Sequence, residues 1–421
     1  MRLLAYTSPA RGHLYPLVPI LLTLVDGGDT CVIQTLSGEL DHLAATGVEA
    51  MALDPVLECS QLEDWRARSP RLAIRSALQT FGRRALLEAP DLERTIAARD
   101  PDVLLVDINC WGAATVAEAS GRPWVMYSPY LLPLPSRDAP PYGPGLAPLH
   151  GPLGTVRDAL VRRVVTGGFD RAALGGVNAV RAVRGLPALQ RFGGLLARAP
   201  LLLSFTAEGF EYPRSDWPGN IRLVGPINWS PPAPTPAWLP ELPDPLVLVA
   251  CSTERQADAR LLQRALEALP AAGFSVIATS AAHDPDSFRA PLHSRVVRFI
   301  SHEIVLERVV CVVCHGGMGI TQKALAAGVP VVAVPFGRDQ LETARRVEVA
   351  RAGVRVPPRQ LNGATLVQAV QDAIRRRPGA LRVGRAYAAA GGATAAAAAI
   401  KGLFSDRINR RAHGNTPTAR S

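Results

Sequence analysis

Short apolar runs rich in β-branched residues alternate with helical segments, one proline-dense stretch interrupts the alternation, and the pattern then begins again. These observations predict an α/β protein of two Rossmann-like, doubly wound domains facing each other across a cleft. In the first half, "RLLAYT", "TCVIQT", "DVLLVD" and "PWVMYS" have the length and composition of buried parallel strands. Between them, "YPLVPILLTLVDGG" and "WGAATVAEASG" read as helices. The interruption, "LVGPINWSPPAPTPAWLPELPDP", lacks periodicity and reads as a linker. Beyond it come "LVLVAC", "FSVIAT", "RVVRFI", "VVCVVCH" and "VPVVAVP", with helices "ARLLQRALEALPAAG" and "TQKALAAG" among them.

At 421 residues the chain exceeds one ordinary core and suits two. The expected division is a first domain over 1–225, a linker over 226–244 and a second domain over 245–384. A C-terminal helix over 385–405, placed to pack back on the first domain, and a disordered basic tail over 406–421 complete it. Residues 128–152 form a Pro/Gly-rich loop too long for a plain connection, which points to function. Residues 57–100 read as polar and helical.

Composition narrows the classes. Hydrophobic residues at 48 % and charged residues at 19 % describe a folded chain, and no apolar run reaches the 18 residues a membrane span needs. The first residues read as a strand rather than a signal peptide, so the expected location is cytoplasmic. Of the 46 basic residues all but Lys323 and Lys401 are arginine. Their excess is local: residues 157–198 hold eight Arg against two Asp, and further clusters lie in 375–385 and the tail. No helix-turn-helix, RNP or zinc-finger pattern accompanies them, so nucleic acid is not an expected partner. The basic stretch leaves a weak membrane-surface contact open, and a homodimer is equally open.

Cys311, Cys314 and His315 spell C-x-x-C-H, the spacing of a c-type haem site. The surrounding "VVCVVCH" reads as a continuous strand, with no second Cys or His pair at zinc-finger spacing, so the cysteines are strand filling. Six sparse cysteines also argue against a disulfide framework. The chemistry lies at strand ends, where open α/β sheets bind ligands. After "VVCVVC", the run His315-Gly316-Gly317-Met318-Gly319 opens a helix whose free N–H groups and dipole suit a phosphate or diphosphate. It is neither a Walker loop nor G-x-G-x-x-G. "PFGRDQ" at the next strand end offers Asp339 and Gln340, an acceptor and an amide that suit sugar hydroxyls, although Asp339 also suits a helix N-cap. In the first half "SPARGH" places His13 after the first strand, and "DVLLVD" ends at Asp107. If topology brings them together, the carboxylate fixes the imidazole tautomer and raises its basicity. The two D-P-D triplets are Pro-containing turns, so no metal is expected.

The combination of "GH" after strand one, a strand-end Asp107, "HGGMG" and "PF..DQ" resembles the family 1 glycosyltransferases of the two-domain GT-B fold. The bacterial members that act on polyketide, macrolide or enediyne natural products are the more similar group. The resemblance spans the chain to about residue 404. It implies an inverting transfer from a nucleoside-diphosphate sugar, dTDP- or UDP-linked, to a hydrophobic acceptor, with no cofactor or metal. His13 would be the general base and Asp107 its orienting partner. His315, Gly316, Gly317, Met318, Gly319 and Thr321 would hold the diphosphate together with Ser252 and Thr253. Phe299 would stack on the base beside Ile300, and Asp339 and Gln340 would hold the sugar. Trp65, Phe81, Tyr130 and Tyr142 are the candidate acceptor contacts.

Three departures stand out. Lys323 replaces a Glu that holds the ribose hydroxyls, so that contact is in doubt or the lysine faces phosphate, and a deoxyribose donor is favoured. Ile320 replaces a Ser, and His302 a Gln. The alternatives are a nucleotide-sugar epimerase on the same scaffold and a non-catalytic, transferase-like helper protein.

Overall fold

The computed structural model describes residues 1–67, 70–254 and 256–413. The first seven strands are β1 (Arg2–Tyr6), β2 (Thr30–Thr35), β3 (Glu49–Ala52), β4 (Val103–Asp107), β5 (Trp124–Ser128), β6 (Leu201–Ser204) and β7 (Ile221–Leu223). They form one sheet in the order β3-β2-β1-β4-β5-β6-β7, every pair parallel. The second sheet contains β8 (Leu246–Ala250), β9 (Ser275–Thr279), β10 (Ser294–Val297), β11 (Val309–Cys314), β12 (Val331–Ala333) and β13 (Gly353–Arg355). It too is parallel throughout, in the order β10-β9-β8-β11-β12-β13. These are two doubly wound sheets, and the sequence pattern reads correctly at that level.

Alternation along each strand divides the core. Leu3 and Ala5 enter the cluster on one face of the first sheet, and Leu4 and Tyr6 the cluster on the other. In β8, Val247 and Val249 separate in the same way from Leu246, Leu248 and Ala250. Helices then cover both faces with apolar stripes. The helix Gly363–Arg375 buries Leu366, Ala369, Val370 and Ala373 at helical spacing, and Asn362 caps its start by accepting from the Thr365 N–H at 2.9 Å.

Four strands lie outside the segments picked from the sequence. β3 reads "EAMA" and is partly exposed, β7 and β13 are three-residue edge strands, and β6 is a leucine run without β-branching. Each is specified by its neighbour in the sheet more than by its own composition. The C-terminal region also differs in detail from the single helix read over 385–405. It is two helices, Arg377–Ala389 and Gly392–His413, so residues 406–413 of the expected tail are helical; residues 414–421 lie outside the described residues. The last helix lies on the first domain, where Ala396, Ala397 and Ile400 join the cluster containing Leu14, Leu17 and Leu21. Lys401 pairs there with Asp29 at 3.0 Å.

The basic stretch 157–198 is not one solvated cationic face. Arg181 is fully buried against Glu118 at 2.6 Å, and Arg184 pairs with Glu93 at 2.7 Å. Among the described residues no helix is long and apolar enough to cross a membrane.

A buried ionic bracket joins the halves. On the helix Gln340–Val349, Glu342 and Arg346 stand one turn apart and pair at 2.9 Å. The Glu342 carboxylate accepts from the backbone N–H groups of Gly143 and Gly145, each at 2.8 Å, on the long first-domain loop. Gly145 sits at φ +62, and a Cβ there would lie 2.4 Å from the Leu341 carbonyl oxygen, so only glycine brings the loop this close. Arg346 donates to Glu211 of the first domain at 2.7 Å and lies 4.1 Å from the Tyr212 ring centre. All three charged side chains are at most 3 % exposed. Arg346→Ala leaves the buried Glu342 without its counter-charge and Glu211 with Arg214 as its remaining cation, and should lower unfolding free energy by about 3–5 kcal/mol, read as a reduced denaturant midpoint.

Candidate functional site

In both sheets the strand order reverses beside the first strand of the half, between β1 and β4 and between β8 and β11. Loops leaving the carboxyl ends on either side of such a point diverge and leave a crevice. The two crevices open into one cavity of about 1920 Å³ lined from both halves.

His13 lies on the short helix Arg11–Leu14 after β1, and Asp107 closes β4. Parallel pairing of β1 with β4 brings them together, and His13 Nδ1 donates to Asp107 Oδ2 at 2.8 Å. The Asp107 carboxylate is completely buried and also accepts from the Ser8 N–H and hydroxyl, the Asn109 N–H and the Tyr127 hydroxyl. Burial disfavours both charges, yet each group overrides it for the other. His13 is held above the usual histidine value by the charge and hydrogen bond of Asp107, and Asp107 is held below the usual carboxylate value. With Nδ1 occupied, Nε2 is the nitrogen left for chemistry, and Asn109 Nδ2 lies 3.4 Å from it. Tyr130 donates to Asn109 Oδ1 at 2.7 Å and sets its ring edge-on to His13, 5.7 Å between centres. Sequence reasoning missed Asn109, although its place two residues after a strand-end Asp was a usable signal.

Across the cavity stand the strand ends of the second half. Gly316 adopts φ +83 and turns the chain out of β11, and the helix Met318–Ala326 begins directly afterwards. The imidazole of His315 lies over Gly317, where a Cβ would sit 2.2 Å from Nε2, so this glycine makes room for the ring. Gly319 is on the cavity wall with open space beside it. Met318 turns its side chain into the core, which leaves its backbone toward the helix start. Ser252 and Thr253, after β8, also line the cavity, but the Ser252 N–H already donates to Asp258 Oδ2 at 2.6 Å. Thr321 does not reach the cavity: it is fully buried, its hydroxyl 3.8 Å from Cys314 Sγ, because it falls on the inner face of its helix.

Asp339 and Gln340 border the same cavity and behave differently. Burial pushes the Asp339 carboxyl up, against the pull of Arg338 and His13, which places this second-half acid within electrostatic reach of the first-half base. Gln340 braces its own loop, accepting from the N–H groups of Phe336 and Gly337 and donating to Gln256 at 2.5 Å. Between them and the first half, Arg338 grips both oxygens of Asp64 at 2.7 and 2.8 Å and also pairs with Glu254. Neither Arg338 nor Asp64 was picked from the sequence, because a contact across 274 positions leaves no local pattern.

Trp65, Phe81, Tyr130 and Tyr142 all line the first-half side of the cavity. Phe299 and Ile300 do not line it. Ile300 is buried in the core, and Phe299, two residues past the end of β10, is 53 % exposed. Lys323 does not face the cavity either. It donates to the Trp229 carbonyl at 3.0 Å and the Ser230 hydroxyl at 2.5 Å, and pairs with Glu303 at 3.4 Å, so it fastens the linker. His302 is pushed down to about 3 by burial and by the nearby Lys323 charge, and is therefore a neutral ring. Among the described residues, Cys251 Sγ, the Asp258 carboxylate and a His283 ring nitrogen lie within 4.8 Å of one another, as an ion would require. Both oxygens of Asp258 accept hydrogen bonds and burial keeps the Cys251 thiol protonated, so the group stands as a hydrogen-bond network.

Known proteins resemble this chain in sequence and in fold. Residues 263–398 match the family described as Erythromycin biosynthesis protein CIII-like, C-terminal domain. The 4'-demethylrebeccamycin synthase of Lentzea aerocolonigenes is 31 % identical over 420 residues, covering 96 % of this chain and 99 % of that protein. Among solved structures, the kitacinnamycin glycotransferase superposes with a TM-score of 0.73 at 20 % identity, covering 96 % of this chain and 99 % of that one. The Streptomyces sp. SF2575 glycosyltransferase SsfS6, complexed with thymidine diphosphate, superposes at 0.68 with 20 % identity, covering 95 % and 99 %.

The His13–Asp107 contact has a direct spectroscopic consequence. The His13 ring should titrate above the ordinary value of about 6.5 in NMR spectra. In Asp107→Asn burial acts without the carboxylate, and the midpoint should fall below that value.

Proposed function

The chain belongs to the family 1 glycosyltransferases of the GT-B fold, among those of the natural-product type, and from that premise we propose an inverting transfer from a nucleoside-diphosphate sugar to a hydrophobic acceptor. The observation that carries the reading is the His13–Asp107 pair at 2.8 Å opening on the same cavity as the His315–Gly319 helix start. His13 Nε2 takes the proton of the acceptor hydroxyl, and Asp107 holds the tautomer and balances the resulting imidazolium. The acceptor oxygen attacks the anomeric carbon as the bond to the diphosphate breaks, which inverts that centre. Charge gathers on the departing phosphate, where His315 and the N–H groups at the start of the helix Met318–Ala326 answer it. Asp339 accepts from sugar hydroxyls, while Gln340 keeps its loop in place.

The cavity's aromatic side, from Trp65 to Tyr142, supplies the apolar surface for the acceptor. Phe299, which follows β10 of the second half and is 53 % exposed, is the platform for the nucleobase, since an exposed aromatic face is available for stacking. The donor favoured is dTDP-linked. Position 323 carries a lysine engaged by the linker rather than a ribose-binding carboxylate, and a 2′-deoxyribose needs fewer acceptors. A structural neighbour captured with thymidine diphosphate supports the same choice.

Thermal-shift titration in EDTA should show the largest stabilisation with dTDP, a smaller one with UDP and least with GDP. Equal shifts, or none, would count against the donor assignment. His13→Ala should keep the nucleotide shift while kcat falls roughly 10²–10⁴-fold. Since the base must be unprotonated and its value is raised, wild-type kcat/KM should decline as pH falls through a midpoint above about 6.5.

A further inference from the structure

Asp258 precedes the helix Ala259–Ala268 at its N-cap position, yet its side chain makes no capping hydrogen bond. Asp is among the best caps, so a carboxylate turned away from that use is held by something else. It is completely buried and turns back under the diphosphate loop. Oδ1 accepts from His283 Nε2 at 2.8 Å, and Oδ2 accepts from the Ser252 N–H at 2.6 Å. On its remaining side, Oδ2 lies 4.0 Å from Nδ1 of His315. That nitrogen is buried and, among the described residues, no group meets it at full hydrogen-bond geometry, in a ring only 9 % exposed, although the Ala250 carbonyl also draws on the ring. A buried polar atom left unpaired is costly, and here a carboxylate fixed from two sides stands about one ångström beyond bonding distance.

Resting on the donor-site reading above, we propose that Asp258 is a positioning residue for His315, and that His283 and the Ser252 N–H hold it at the point where His315 Nδ1–H meets it once a diphosphate is bound. The chemistry requires such a partner. To donate from Nε2 to a phosphate oxygen as well as carry a proton on Nδ1, the ring must be imidazolium, and an imidazolium buried without a counter-charge is unfavourable. Burial lowers His315 from the usual value; the charge of Asp258 and the Ala250 carbonyl oppose this, with Arg338 pulling down and Glu254 up. The arriving diphosphate adds negative charge on the opposite side of the ring. Together the two anions bring the proton onto His315 when the leaving group needs it. Ser252 thus serves the donor through Asp258, since its N–H is already engaged.

The test uses the full chain, dTDP and dTMP, and a ligand-free NMR titration of the His315 ring. Asp258→Asn should lower the His315 midpoint further, weaken dTDP binding by at least tenfold near pH 6, and change dTMP binding much less. In a His315→Ala background the same substitution should cost dTDP little more. Equal losses with and without His315 would make Asp258 merely structural and overturn the proposal, as would unchanged dTDP affinity. His283→Gln, which frees one oxygen of the carboxylate, should give a smaller loss of the same kind and serves if Asp258→Asn fails to fold; unchanged dTDP affinity in this variant would likewise overturn the proposal. Loss of wild-type dTDP binding on chelation would instead assign Cys251, Asp258 and His283 to a metal. A shifted His315 midpoint in a protein that binds no nucleoside diphosphate would sink the donor-site reading and leave the pairing of Asp258 with His315 standing.

Discussion

The site depends on one buried ionic contact, the Glu342–Arg346 bracket, because a cavity made from two domains exists only while the domains keep their relation. The helix that carries the bracket starts at Gln340, immediately after the acid assigned to the sugar. Glu342 therefore ties the loop bearing Tyr142 to the same rigid element that presents Asp339. Arg346 secures the opposite flank through Glu211. Buried charges are a poor source of net stability, but they punish misregistration heavily, so their value here is in fixing geometry. The Arg338–Asp64 pair, less buried and nearer the cavity, adds a second contact between the halves.

Within that frame the chemistry follows from parallel topology. A parallel sheet sends every strand's carboxyl end to one side, and reversal of strand order beside the first strand opens a gap there. The first half places an acid–base pair at its gap, with the carboxylate saturated by five donors so that it remains ionised despite full burial. The second half places a helix N-terminus and a histidine at its gap, both suited to negative charge. In the proposed transfer, one gap removes a proton from an incoming hydroxyl, and the other receives a departing anion.

The departures from the familiar pattern also acquire physical reasons. Lys323 is drawn to a linker carbonyl, a serine hydroxyl and Glu303, all on its side of the helix. Its charge then helps keep His302 neutral. Position 323 thus serves the linker between the domains.

The sequence by itself determined the two-domain α/β architecture, since β-branched runs and helical periodicity are local consequences of side-chain shape. It also identified His13, Asp107 and the His315–Gly319 turn as residues at strand ends, because a strand end is visible wherever an apolar run stops at Gly or a polar group. The short edge strands were not legible, as their pairing comes from a neighbour and not from their own residues. Nor were Asp258, Arg338 and Asp64, whose partners lie far along the chain or on another element. The inward turn of Thr321 and the outward turn of Phe299 depend on helix phase and loop path that only packing sets. Distance, burial and direction were decided by the tertiary structure, because hydrogen bonds and Coulomb forces act through space and leave no periodic trace along the chain.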